Sequence, residues 1–149
     1  MKDIICGVPQ GSILGPLLFT LYVNDITNTS SILDFILFAD DTTILYSSKD
    51  INNDINIVNE ELKEVTNWFK ANKLSVNATI TNFMIMGTPH MTSVKTRSDL
   101  SVTLNRTILE RVKTTKFLGV LIDECLTWKN HIDCISKTIS TRKYIIPSL

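Results

Sequence analysis

A chain of 149 residues, 44% of them hydrophobic and 20% charged, is one domain's worth of polypeptide with enough apolar material to bury a core. Its 15 basic and 15 acidic residues cancel, yet residues 1–87 hold 10 acids against 5 bases and residues 88–149 the reverse. An acidic half that binds cations joined to a basic half that meets a phosphate backbone would show this asymmetry, as would chance segregation of surface charge.

The three cysteines, Cys6, Cys125 and Cys134, are odd in number and far apart, which argues against a secreted disulfide framework. Cys125, His131 and Cys134 lack both a Cys-x-x-Cys pair and a fourth ligand, so free thiols are the expected state rather than a zinc site. The longest apolar stretch, Ile13 to Val23, is broken by Gly15-Pro16 and Thr20 and is too short for a bilayer of about 30 Å. The start of the sequence has no sustained apolar region of the signal-peptide kind. The expectation is a soluble intracellular protein, nuclear or cytoplasmic, with no membrane partner and an oligomeric state that the sequence leaves open.

Along the chain, Ile4-Ile5-Cys6 has strand character and enters a glycine-punctuated loop from Gly7 to Gly15. Pro16 suits the first position of a helix, and Leu17, Leu18, Leu21 and Tyr22 recur at helical spacing, predicting a helix from Pro16 to about Ile26 packed on a sheet. Two runs rich in β-branched and aromatic residues, about Leu33–Phe38 and Thr43–Ser47, predict a hairpin whose near-continuous apolar character suggests cover on both faces. Ile55, Val58, Leu62, Val65 and Trp68/Phe69 step by threes and fours along a helix of about twenty residues beginning near Ile51, with Asp50 as its cap and Glu60, Glu61, Lys63 and Glu64 on the wet side. That stripe is core rather than a binding surface.

Leu74–Asn77 reads as a connection, Asn82–Gly87 as a strand and Thr88–Leu100 as a polar loop in which His90 carries no signal. Ser101–Leu104, a turn at Asn105-Arg106, and Ile108-Leu109 predict a second hairpin, followed by one strand from Thr115 to Asp123. Trp128, Ile132, Ile135 and Ile139 return to helical spacing, in a helix ending before Pro147.

The chemistry-bearing stretch is Phe38-Ala39-Asp40-Asp41 at the tip of the first hairpin. Side chains alternate faces in a strand, so two adjacent carboxylates point the same way only if the chain turns between them. An acidic surface turn explains the pair, since Asp is a common turn former. The pair equally suits hard divalent cations, which prefer carboxylate oxygen and which phosphoryl-transfer sites often hold in twos about 3.5–4 Å apart.

What separates these readings lies upstream. Gly7-Val8-Pro9-Gln10-Gly11-Ser12-Ile13-Leu14-Gly15-Pro16-Leu17-Leu18-Phe19, followed at this distance by Phe38-Ala39-Asp40-Asp41, resembles the palm of a reverse transcriptase, most closely the non-LTR (LINE-like) retrotransposon enzymes. Leu74 to Met86 and Phe117-Leu118-Gly119-Val120 resemble two further motifs of that family, in the same order. The resemblance implies an α+β fold: a two-layer palm, with an antiparallel sheet and helices on one face, over residues 1–123. The start of a helical thumb would occupy residues 124–149.

It implies RNA-directed DNA synthesis from an RNA template, a DNA primer and dNTPs, with two Mg²⁺ (or Mn²⁺) ions. Asp40 and Asp41 would be the catalytic residues and metal ligands. Gln10, Gly11 and Ser12, with Phe38 and Ala39, would lie against the templating pair and incoming nucleotide, and Phe117, Leu118 and Gly119 would support the primer. The family's fingers and a third catalytic aspartate would precede Met1; Asp25 and Asp34 stand where the pattern has no metal ligand. Ile80 stands where the family usually has a lysine thought to protonate the leaving pyrophosphate, a loss that commonly costs 10²–10⁴-fold in rate. The expectation for these residues in isolation is therefore a reverse transcriptase fragment that is inactive or nearly so. A different class of reading is a non-catalytic nucleic-acid-binding remnant working through the basic residues from Arg106 to Lys143. A third is a partly folded remnant with exposed apolar surface.

Overall fold

The computed structural model describes residues 11–48, 51–89 and 100–143. In chain order these form α1 (Leu14–Val23), a 3-10 segment (Asn24–Thr29), β1 (Asp34–Phe38), β2 (Asp41–Leu45), α2 (Ile51–Ala71), β3 (Asn82–Phe83) and β4 (Thr103–Leu104). There follow β5 (Thr107–Ile108), β6 (Glu110–Arg111), β7 (Thr114–Phe117), β8 (Val120–Asp123) and α3 (Lys129–Lys143). The mixture is α+β. The chain divides into two units, Met1–Val76 with Thr103–Arg106, and Asn77–Val102 with Thr107–Leu149. The expected strand at Ile4–Cys6, the Asp50 cap, His90 and the end of the last helix fall outside the described residues.

In the first unit the threes-and-fours stripe of α2 does what its spacing requires. Leu62 and Val65 are buried, and Val65 joins Ile26 and Leu33 in a core packed by Phe35, Leu37, Ile44, Tyr46, Trp68 and Phe69. Thr66 is also buried, and its hydroxyl donates back to the Leu62 carbonyl at 2.7 Å, so no polar atom is stranded there. Trp68 and Phe69 meet edge to face with centroids 5.3 Å apart. β4 docks on α2 through Asn59, whose Oδ1 accepts from the Thr103 N–H at 2.8 Å.

Four expectations change here. α1 begins at Leu14, placing Pro16 inside the first turn, where no intrahelical donor is required. It carries no buried residue, so it is not packed on a sheet as its spacing suggested. β1 alternates between exposed Asp34, Ile36 and Phe38 and half-buried Phe35 and Leu37, so this hairpin is covered on one face rather than two. Glu61 is half-buried rather than on the wet side.

In the second unit β3 runs parallel to β6, pairing Asn82 with Glu110 and Phe83 with Arg111. The strand expected over Asn82–Gly87 stops at Phe83; beyond it the Gly87 N–H turns to the Glu124 carbonyl at 3.0 Å. Arg111 and Glu124 pair at 3.6 Å in a half-buried position. The single strand expected over Thr115–Asp123 is a hairpin, with β7 and β8 antiparallel from Thr114↔Asp123 to Phe117↔Val120. Leu118 and Gly119 close it with φ of +47 and +88, the left-handed pair of a type I′ hairpin turn. The turn was hidden because leucine is not a turn former, and only Gly119 carried the signal. Among the described residues no helix is long and apolar enough to cross a membrane.

Candidate functional site

The β1–β2 ladder runs from Asp34↔Leu45 to Phe38↔Asp41, leaving Ala39 and Asp40 as a two-residue turn. Ala39 takes φ +52, the left-handed conformation that such a turn demands of its first central residue and that an L side chain adopts at a cost. Asp40 therefore sits in the turn, while Asp41 is the first residue of β2, and both are exposed.

The two carboxylates do not share an environment. Alternation along β2 puts Asp41 on the face of Thr43 and Leu45, opposite exposed Phe38 and Ile36. Asp40 borders a cavity of about 200 Å³ beneath the tip, together with Ala39 and Thr42 of the hairpin and Phe19 and Val23 of α1. Neither carboxylate has a hydrogen-bond or ion-pair partner among the described residues. Both offer the hard oxygen donors that Mg²⁺ prefers, so the donor type fits such an ion. The donor number fits only in part, since no group of three His, Cys, Asp or Glu residues able to hold a metal occurs among the described residues.

Of the other residues singled out by sequence, Gln10 lies outside the described residues. Gly11 takes φ +85, and nothing stands within 4 Å of where a Cβ would be, so its glycine character answers to backbone conformation. Ser12 accepts from the Leu14 N–H at 3.3 Å through its hydroxyl, at the entry to α1. Phe38 and Ala39 lie at the tip already described. Phe117 ends β7 and Leu118 and Gly119 form the β7–β8 turn in the second unit; Ile80, in the same unit, is 76% exposed in a separate turn whose Ile80 and Thr81 N–H groups donate to the Asn77 carbonyl. Cys125, His131 and Cys134 form no metal site. His131 Nδ1 instead accepts from the Leu121 N–H at 3.3 Å, tying α3 to β8.

One organising residue escaped the sequence reading. Asp123, at the end of β8, is buried at 8% exposure. Its carboxylate accepts from the N–H groups of Cys125, Thr127 and Trp128 and from the Thr127 hydroxyl, all at 3.0–3.1 Å. These bonds, led by that of the Thr127 N–H, hold its carboxyl below the ordinary 3.8 despite the opposing effect of desolvation. They enclose Leu126 and Trp128, both left-handed at φ +54 and +63, just before α3. An Asp four residues ahead of a Thr at a predicted helix start was the available signal.

Comparison with known proteins places the chain in a family. The family described as reverse transcriptase (RNA-dependent DNA polymerase) matches residues 2–122. The RNA-directed DNA polymerase from mobile element jockey of Drosophila funebris is 29% identical over 155 residues, covering 95% of this chain and 16% of that protein. Its Drosophila melanogaster counterpart is 28% identical with the same coverage. The probable RNA-directed DNA polymerase from transposon BS of Drosophila melanogaster is 32% identical over 140 residues, covering 88% of this chain and 15% of its own length. The chain thus spans about a sixth of these relatives. No solved structure matches it significantly. With the match running from residue 2 through both hairpins to residue 122, the chain belongs to the reverse transcriptase (RNA-dependent DNA polymerase) family, among the non-LTR retrotransposon polymerases.

Proposed function

We propose that this chain is the palm segment of a non-LTR retrotransposon reverse transcriptase, residues 1–123, leading at residues 124–149 into the start of the thumb. The observation that carries this reading is the two-residue turn at Ala39-Asp40, which presents an exposed, unpartnered carboxylate at the apex of a hairpin. Asp40 is the main metal ligand, and Asp41, one residue on and facing outward, is a neighbouring or orienting carboxylate. Gln10, Gly11 and Ser12 underlie the templating pair and incoming dNTP. Phe117, Leu118 and Gly119 support the primer strand paired to the RNA template. What a bound Mg²⁺ or Mn²⁺ supplies is charge neutralisation for in-line nucleotidyl transfer.

On their own the 149 residues are catalytically silent or nearly so, because two carboxylates leave a hard cation short of ligands and Ile80 offers no proton to pyrophosphate. The test is a chimera in which residues 2–122 replace the matched segment of a jockey-type polymerase. Primer extension by the chimera, lost with Asp40→Asn and raised about 10²-fold or more by Ile80→Lys, is the expected result. Incorporation unaffected by Asp40→Asn, or measurable template-directed incorporation by the isolated chain, would overturn the corresponding part of the proposal.

A second reading, a non-catalytic nucleic-acid-binding remnant, is favoured by the exposure of Lys113, Lys116, Lys129 and Lys137 in the second unit. It requires RNA or DNA binding that weakens with a log–log salt slope of roughly −3 to −4 if all four contact phosphate. It also requires that the binding survive Asp40→Asn with Asp41→Asn.

A further inference from the structure

α2 ends in a closure that leaves the Asn72 carbonyl to be satisfied from outside. Lys73 is left-handed at φ +55; its N–H reaches the Lys70 carbonyl at 3.1 Å and the Leu74 N–H reaches the Phe69 carbonyl at 2.9 Å. These are the two bonds of a Schellman motif, with lysine where glycine is usual. Asn72 precedes the left-handed residue, and its backbone N–H and Nδ2 both donate to the Trp68 carbonyl at 3.0 Å. Its own carbonyl is one of the groups that a helix C-terminus leaves unpaired. That carbonyl accepts a hydrogen bond from the Tyr22 hydroxyl of α1, fifty residues earlier.

The bond is placed where it matters for the hairpin. α1 has no fully buried residue, and the Tyr22–Asn72 bond joins it directly to the end of α2. The cavity beneath the tip is walled by Phe19 and Val23 of α1, by Phe69 and Ser75 on either side of the Asn72 corner, and by Ala39 and Asp40. Its walls are thus two elements that the Tyr22–Asn72 bond joins and the turn that holds the exposed carboxylate. Because Ala39 is strained, the tip has a standing tendency to relax, which neighbouring walls must oppose.

We propose that Tyr22 is a positioning residue for Asp40: by closing the Asn72 carbonyl it fixes α1 and the 72–75 corner as the walls against which the tip of the hairpin is held. Its functional meaning rests on the reading of Asp40 as a metal ligand, whereas the brace itself is a mechanical statement that can be tested without metal.

The experiment is residue-resolved amide hydrogen exchange on the purified 149-residue chain in metal-free buffer, comparing wild type with Tyr22→Phe. Tyr22 is 45% exposed, so this change deletes the hydroxyl and leaves the ring. The expected result is exchange about tenfold faster at Leu74 and at Asp41, the ladder residue that closes the turn, the size of one hydrogen bond, with residues 58–66 in the middle of α2 unchanged. Acceleration confined to α1, or uniform across the chain as global destabilisation would give, overturns the brace. A parallel Mn²⁺ titration separates the two levels: Tyr22→Phe weakens Mn²⁺ binding severalfold if Asp40 is held by the brace. A wild-type chain that binds no Mn²⁺ overturns the metal-ligand reading, while the exchange data still decide the brace.

Discussion

Phe38 and Asp41 stand opposite each other as the last pair of the β1–β2 ladder, so Ala39 and Asp40 must reverse the chain alone. This pairing forces Ala39 to φ +52 and separates the two carboxylates, one into the turn and one onto the outward face of β2. A hairpin with two more loop residues would free both acids from the register, whereas this one dictates where each can be.

The strain at Ala39 predicts an asymmetric response to substitution. Ala39→Gly should leave stability within about 0.5 kcal/mol, because relief of the left-handed cost is offset by the greater freedom of glycine in the unfolded chain. Ala39→Val should cost about 1–2 kcal/mol, since a β-branched side chain is poorer still at positive φ. Urea unfolding of the three proteins measures both; equal stability of the Val and Ala forms would mean that the turn does not hold the conformation described.

The β7–β8 turn predicts a stabilising substitution. Leu118 is 51% exposed and left-handed, where asparagine is favoured, and Gly119 follows it. Leu118→Asn creates the Asn-Gly pair that primed turns prefer and should add about 0.5–1 kcal/mol, whereas Gly119→Val should remove about 1–2 kcal/mol. Thermal melts of the two variants, moving in opposite directions, are the check.

Asp123 predicts an acid-sensitive joint between β8 and α3. Its carboxyl is held below the ordinary 3.8 in the folded chain, so the folded state favours the ionised form. The contribution is therefore complete above the unfolded-state value and lost as pH falls through the lower folded one. Asp123→Asn should lower the melting temperature at pH 7, and the gap from wild type should close as the pH is taken below about 3.8. A gap that is the same at pH 7 and at pH 2.5 would mean that the charge contributes nothing.

Burial separates two apolar positions of the first unit that look alike in sequence. Ile26 is 1% exposed in the core, and Ile26→Ala should cost about 2–4 kcal/mol. Leu18, with 47% of its surface exposed on α1, should tolerate Leu18→Ala within about 0.5 kcal/mol. Denaturant midpoints at constant slope distinguish the two; a large loss at Leu18 would show that α1 is covered in solution.

Much of the element structure was legible because it depends on local period and composition. α2 announced itself by its stripe, the first hairpin by two β-branched runs, α3 by its isoleucines, and the acidic turn by adjacent Asp residues in a motif shared with a family. Each of these is written within a window of some twenty residues, and the hydrophobic effect acts on such windows with little regard to what lies elsewhere.

What the sequence left undecided depends on pairing across distance. No local preference puts Leu118 into a left-handed turn; it goes there because Thr114–Phe117 finds a better partner in Val120–Asp123 than it would as one long strand. Likewise Asp41 faces outward because of its register with Phe38, and Asp123 organises the loop before α3 because β8 ends where four donors converge on its carboxylate. The sequence by itself determined most of the kinds of elements, the family and the place of the adjacent acids between two strands. Tertiary structure decided the register, which strands turn back, which carboxylate borders the cavity and which one orders the loop before α3, because backbone hydrogen bonds and turn angles are settled only when the second strand or helix arrives.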